Sequence, residues 1–170
     1  SPYHQVYLDS FLIDKNEVTA GDYEACVDAG DCTYGGSRSH SYRTYNNGRD
    51  NHPINYVNLN EAKAYCAWKG RRIPTENEWE KAARGSDGRT YPWGDILEST
   101  RANYDRCNDE MTLPEEIAYC QSGGIVRQTT PVGFYNGVNT LGDGTITLDS
   151  PSPYGAYDMA GNVLEWTASW

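Results

Sequence analysis

The chain has 170 residues, enough for one sizeable core and too few for two ordinary domains, so residues 1–170 are read as a single domain. Lys+Arg 14 against Asp+Glu 24 leaves a formal net charge of −10 and a pI near 4.6, which argues against nucleic-acid binding, because such a protein must neutralise phosphates with clustered cations. Mean hydropathy is −0.76 and the apolar area comes from 14 Tyr and 5 Trp rather than from long aliphatic runs; no window approaches the roughly 18 apolar residues of a membrane span.

Val6–Ile13 has the β-branched and aromatic content of a strand, and Thr19 reads as the N-cap of a short helix ending near Gly30. Residues 33–53 show no hydrophobic period and are expected to form an irregular loop. Asn58 and Glu61 then open a second helix with an apolar stripe of Ala62, Tyr65, Cys66 and Trp68, stopped by Gly70. Thr75 and Glu78 repeat the same capping pattern for a third helix, with Trp79, Ala82 and Ala83 on its buried side and Gly85 at its end. Beyond Gly85 the chain is rich in Gly, Pro, Asn and Asp, and far longer than a structureless loop inside a compact domain should be. Disulfides, buried aromatics and bound hard cations such as calcium are the available means of ordering it.

Five cysteines permit at most two internal bridges. Cys26 and Cys32 flank the Gly30 turn, and Cys107 and Cys120 bracket a polar loop, whereas Cys66 lies in a helical pattern. Reduced cysteines throughout are the alternative; two bridged loops would place the chain in an extracellular or periplasmic compartment. His4, His40 and His52 are isolated and no Cys-x-x-Cys occurs, which argues against zinc. No nucleophile elbow and no phosphate-cradling glycine loop is present. Asp158 and Glu165 flank a turn containing Gly161; by spacing alone they suit either a cation loop or a solvated acidic turn. Asn139, Asp143, Gly144 and Asp149 form a weaker oxygen-rich group, better read as a glycine-turn hairpin between two short strands. Arg71 and Arg72 are expected to tie carboxylates within the fold.

Three blocks in order, PINYVNLNEAKAYCAWKGRRIPTENEWEKAARG (53–85), TYPWGD (90–95) and SPYGAYDMAGNVLEWTASW (152–170), together with FLIDKNEVTAGDYEACVDAG (11–30), resemble the formylglycine-generating-enzyme, or sulfatase-modifying-factor, family. The resemblance implies an α+β, C-type-lectin-like fold with few short helices, little sheet and much ordered coil that binds calcium. It implies one calcium site on Asp158 and Glu165 through side chains and on Gly161 and Val163 through carbonyls. A second site would begin at Asn103 and Tyr104, but residues 123–129 read GGIVRQT where the family places its acidic ligand. The oxidase members convert a substrate cysteine on sulfatases to formylglycine with a copper-binding cysteine pair located after the block that ends here at Trp170, so no catalytic residue is assigned.

The first residue is Ser1, and the expectation is a processed or partial product, incomplete at its C-terminus. The edge 164–170 is then an aromatic strand open to pairing, to be covered by the chain's own further segment or by a protein partner or second subunit. The favoured role is a non-catalytic, calcium-stabilised interaction or structural module. The alternatives are a fragment of a formylglycine-generating oxidase and a lectin-like binder using Tyr42–Tyr45.

Overall fold

The computed structural model describes residues 6–36, 42–104 and 128–168. The suspected Cys107–Cys120 pair, His4, His40 and Trp170 lie outside these residues. Three helices form where the capping pattern places them: α1 Ala20–Asp28, α2 Leu59–Trp68 and α3 Glu76–Arg84. The Thr19 hydroxyl accepts the Asp22 N–H, and Asn58 and Thr75 each close a reciprocal box with Glu61 and Glu78. These side chains satisfy amides that a helix leaves unpaired at its N-terminus.

The expected opening strand does not form. Residues 6–13 run without a ladder, with Tyr7 and Leu12 exposed, and among the described residues no segment pairs with them. Among the described residues strand pairing is confined to isolated antiparallel bridges, Thr19–Pro53, Tyr91–Gly94 and Thr140–Ile146. The last is the expected hairpin in miniature: Leu141 N–H donates to Thr145 O at 2.8 Å and Gly144 turns with φ 88°.

Among the described residues the buried apolar side chains gather in two small clusters. In the first, Tyr23 of α1 stacks on Tyr65 of α2 with ring centroids 5.6 Å apart, beside Cys26 and Cys32. Those cysteines form a disulfide with Cα atoms 5.3 Å apart, buried at 0% and 5% exposure. The loop after it is held by polar contacts: Glu61 Oε1 accepts the Gly35 N–H, and buried Thr44 donates its hydroxyl to Pro53 O at 2.7 Å. Tyr45 turns inward onto Tyr34, with centroids 4.3 Å apart, while Tyr42 stays exposed. In the second core, Ala82 and Ala83 of α3 pack on Ala156 and Met159, with Phe11, Ile13 and Trp79 around them. Small residues on α3 let the turn at 156–159 approach the helix closely, which sets the position of everything after it.

The two arginines act as the sequence suggests. Arg71 pairs with Asp14, and Arg72 grips Glu78 with two hydrogen bonds at 2.7 and 2.6 Å. Together with the Thr75 N–H, the Arg72 guanidinium holds the Glu78 carboxyl down at about 2. A group depressed in this way contributes stability that is complete above its ordinary value of 4.5 and is lost as the pH falls toward about 2. Glu78→Gln is therefore expected to flatten the acid limb of a plot of Tm against pH in that window. An acid limb identical to that of the parent protein would show that the pairing is not felt.

Candidate functional site

The chain turns sharply after the second core. Asp158 with φ 57°, Gly161 with φ 90° and Asn162 with φ 59° all adopt left-handed backbone conformations, which Asp, Asn and Gly tolerate better than other residues. Gly161 answers a second demand, because a Cβ there would sit 2.3 Å from the Asn103 carbonyl oxygen. The Asn162 N–H donates to that same carbonyl at 2.7 Å, so the loop rests on the Asn103 backbone.

The Asn162 side chain joins four segments. Its Nδ2 donates to Glu17 Oε2 at 2.7 Å and to Thr130 O at 3.3 Å, while its Oδ1 accepts the Thr130 N–H at 2.9 Å and Asn103 Nδ2 at 3.4 Å. Asn103 Nδ2 also reaches Gln128 O at 2.8 Å. The structure thus brings Asn103, from one sequence-derived set, against the loop that bears Asp158, Gly161, Val163 and Glu165, from the other. Tyr104 follows Asn103 at the edge of the described residues.

Each acid of the loop is oriented by one donor. Asp158 Oδ2 accepts the Gly133 N–H at 2.5 Å, and Glu165 Oε2 accepts the indole N–H of Trp79 at 2.7 Å, so α3 aims Glu165 directly. Burial pushes the Asp158 carboxyl upward. The Glu165 residue keeps accessible surface, yet the protein atoms around its carboxylate push it upward as well, with Asp158 adding to the rise.

A third acid, Glu17, was not legible from any local pattern in Lys15-Asn16-Glu17; its partner Asn162 lies 145 residues away in sequence. Glu17 Oε1 is buried and has no hydrogen-bond partner. Burial, then Asp158, then Glu165 raise its pKa to about 9. Burial is the first cause of all three rises, and repulsion between the acids adds to those of Glu17 and Glu165. Among the described residues no three His, Cys, Asp or Glu side chains converge closely enough to hold a metal by themselves. A calcium loop has no such need, since backbone carbonyls complete its shell of about six to eight oxygens.

Beside this loop a cleft of about 560 Å³ runs between residues 54–57 and residues 163–167. Trp166 closes one end by donating its indole N–H to Val57 O at 2.9 Å, while Leu164 is fully exposed at 100%. Cys66 is half-buried on α2, and burial pushes its thiol upward, which leaves little thiolate for nucleophilic chemistry.

The profile described as "Sulfatase-modifying factor enzyme 1-like domain" matches residues 1–170. The chain belongs to the sulfatase-modifying-factor family. Among its relatives, the formylglycine-generating enzyme of Thermomonospora curvata is 40% identical over 123 residues, 72% of this chain and 35% of that protein. The inactive C-alpha-formylglycine-generating enzyme 2 of Bos taurus is 36% identical over 118 residues, 69% of this chain and 33% of that protein. Protein YfmG of Bacillus subtilis is 32% identical over 178 residues, 99% of this chain and 35% of that protein. The chain spans about a third of the length of these relatives.

Within this sulfatase-modifying-factor domain, the close approach at Gly161 gives a direct test of how the loop is seated. Gly161→Ala must both strain a positive φ and displace the Asn103 carbonyl, whereas Gly30→Ala, at φ 82° with open space around it, meets only the first cost. The conformational cost alone is about 1 kcal/mol. Urea denaturation is expected to show a clearly larger loss for Gly161→Ala than for Gly30→Ala; equal losses would mean that the loop does not lie on Asn103.

Proposed function

We propose that this chain is a calcium-stabilised module of the sulfatase-modifying-factor family that serves an interaction or structural role outside the cytoplasm. The observation that carries this reading is the crowding of Glu17, Asp158 and Glu165 around one left-handed loop, with the loop carboxylates each oriented by a single donor. Asp158 and Glu165 would hold the ion through their side chains, and Gly161 and Val163 through their carbonyls; a bound calcium supplies the positive charge that this cluster lacks. The Asn103–Tyr104 segment is proposed as the start of a second site, tied to the first through Asn162.

The three short helices and sparse strand pairing of the described residues are in keeping with the C-type-lectin-like fold that the family resemblance implies. The Cys26–Cys32 bridge supports an extracellular or periplasmic location. A non-catalytic role is supported by the described cysteines, two sealed in a core disulfide and one with its thiol pushed upward. The cleft along residues 163–167 and the exposed Leu164 support docking of polypeptide on the 164–170 edge, from a protein partner, a second subunit or a further segment of the same chain. With calcium added, Tm is expected to rise, and a chelator should reverse the rise. Asp158→Ala and Glu165→Ala should each abolish the response to chelator; melting curves that never respond to either reagent would defeat the calcium reading.

A second reading is favoured by the 40% identity to a protein named formylglycine-generating enzyme. In it, residues 1–170 form the scaffold of a cysteine-to-formylglycine oxidase whose copper-binding cysteine pair lies after Trp170. The full gene product, incubated with copper, oxygen and a sulfatase-derived cysteine peptide, separates the two. Aldehyde formation detected by mass spectrometry selects the oxidase, and an unaltered peptide selects the non-catalytic module.

A further inference from the structure

Glu17 precedes α1, and its neighbours form the back wall of the loop. Lys15 O accepts the Tyr157 N–H at 2.8 Å, the Lys15 ammonium lies 5.2 Å from the Tyr157 ring centroid, and Asn16 Oδ1 sits close to Gly133, whose N–H orients Asp158. From this wall Glu17 Oε2 grips Asn162, and the Val163 N–H also acts on the Glu17 carboxylate. Asn162 stands between Gly161 and Val163, the two residues whose carbonyls are assigned to the ion. A side chain that pins this short stretch from behind fixes the direction in which both carbonyls point.

An amide at position 17 would accept the same hydrogen bond from Asn162 without bringing a charge. Glutamate instead places a buried oxygen, Oε1, with no donor beside two further acids. Burying such an oxygen unpaired is costly, and the cost falls when a positive ion sits nearby.

We propose that Glu17 is an outer carboxylate of the calcium loop, a positioning residue that holds Asn162 and, when the ion is bound, adds negative charge which tightens the hold of Asp158 and Glu165 on it. The inference rests on the calcium reading above, and its test separates the two. It is also specific in sign. A merely structural Glu17 would stabilise the protein with or without calcium, whereas an outer carboxylate stabilises only when the ion is present.

The experiment uses the purified protein at neutral pH, with calcium binding followed by isothermal titration calorimetry and by Tm in calcium and in chelator. Glu17→Gln is expected to weaken calcium affinity by roughly tenfold or more, the range typical for lost outer-sphere partners. In chelator its Tm should equal or exceed that of the parent. Calcium affinity unchanged by Glu17→Gln would overturn the inference while leaving the calcium site intact, provided Asp158→Ala still abolishes binding. A Tm lowered equally in calcium and in chelator would also overturn it, since that is the mark of a purely structural group. No calcium binding by the parent protein would remove the inference together with the reading it rests on. If Glu17→Gln does not fold, Glu17→Met, of similar length and uncharged, is read by calcium affinity alone, because it also loses the hydrogen bond from Asn162; an affinity equal to that of the parent overturns the inference.

Discussion

The described residues form three short helices and no extended ladder, so they must satisfy their buried backbone groups one at a time, and that constraint shapes nearly every feature of the molecule. Asn162 shows how the problem is solved. Its side chain and N–H together engage Glu17, Thr130 and Asn103, so one residue does for four segments what a sheet edge does for two strands. Glu61 and Thr44 play the same part in the other half of the molecule, joining helix α2 and the segment around Pro53 to loops that have no regular structure. Buried polar networks of this kind specify geometry well when every member is paired.

The exception is informative. Glu17 Oε1 is buried and unpaired, and among the described residues only Tyr34 Oη and Arg49 Nη1 share that condition. Its carboxylate also faces two more acids of the same sign. Packing can supply neither a counter-charge nor a missing donor, and a divalent cation supplies charge at a single point. The link between the irregular backbone and the proposed ion is therefore electrostatic as well as architectural: the left-handed turn aims carbonyls, and the acids around it need a partner.

The aromatic content has a matching role in the first core. Tyr23, Tyr65, Tyr34 and Tyr45 form a stacked and edge-on group around the Cys26–Cys32 bridge, and the Tyr23 hydroxyl donates to Thr33 O at 2.7 Å. Tyrosine suits a small core that abuts coil, because its ring buries apolar area while its hydroxyl reaches a carbonyl the coil leaves over. Around the cleft at residues 163–167 the same residue chemistry is left partly open, with Trp166 at 40% exposure and Leu164 fully exposed. Among the described residues the disulfide core is sealed, while Leu164 and Trp166 stand exposed where the proposed docking edge lies.

Sequence alone determined the three helices, because a capping box and a terminal glycine act within a few residues of each other: Asn58 with Glu61, Thr75 with Glu78, Gly70 and Gly85. It also pointed to the family, through ordered blocks whose residues stand in recognisable spacing, whereas the Cys26–Cys32 bridge, one of two alternatives in the sequence, is decided by the fold that brings the two sulfurs together. The strand expected from Val6 to Ile13 does not form because β-propensity describes a surface suited to a neighbour, and among the described residues none pairs with it. Glu17 could not be found at all from its surroundings, since nothing near it in the chain distinguishes it from any other surface acid. Only the folded chain, by laying residues 15–17 behind the loop at 157–163, places its carboxylate beside the loop that bears Asp158 and Glu165; charge and burial act through space, and their partners are separated by most of the sequence.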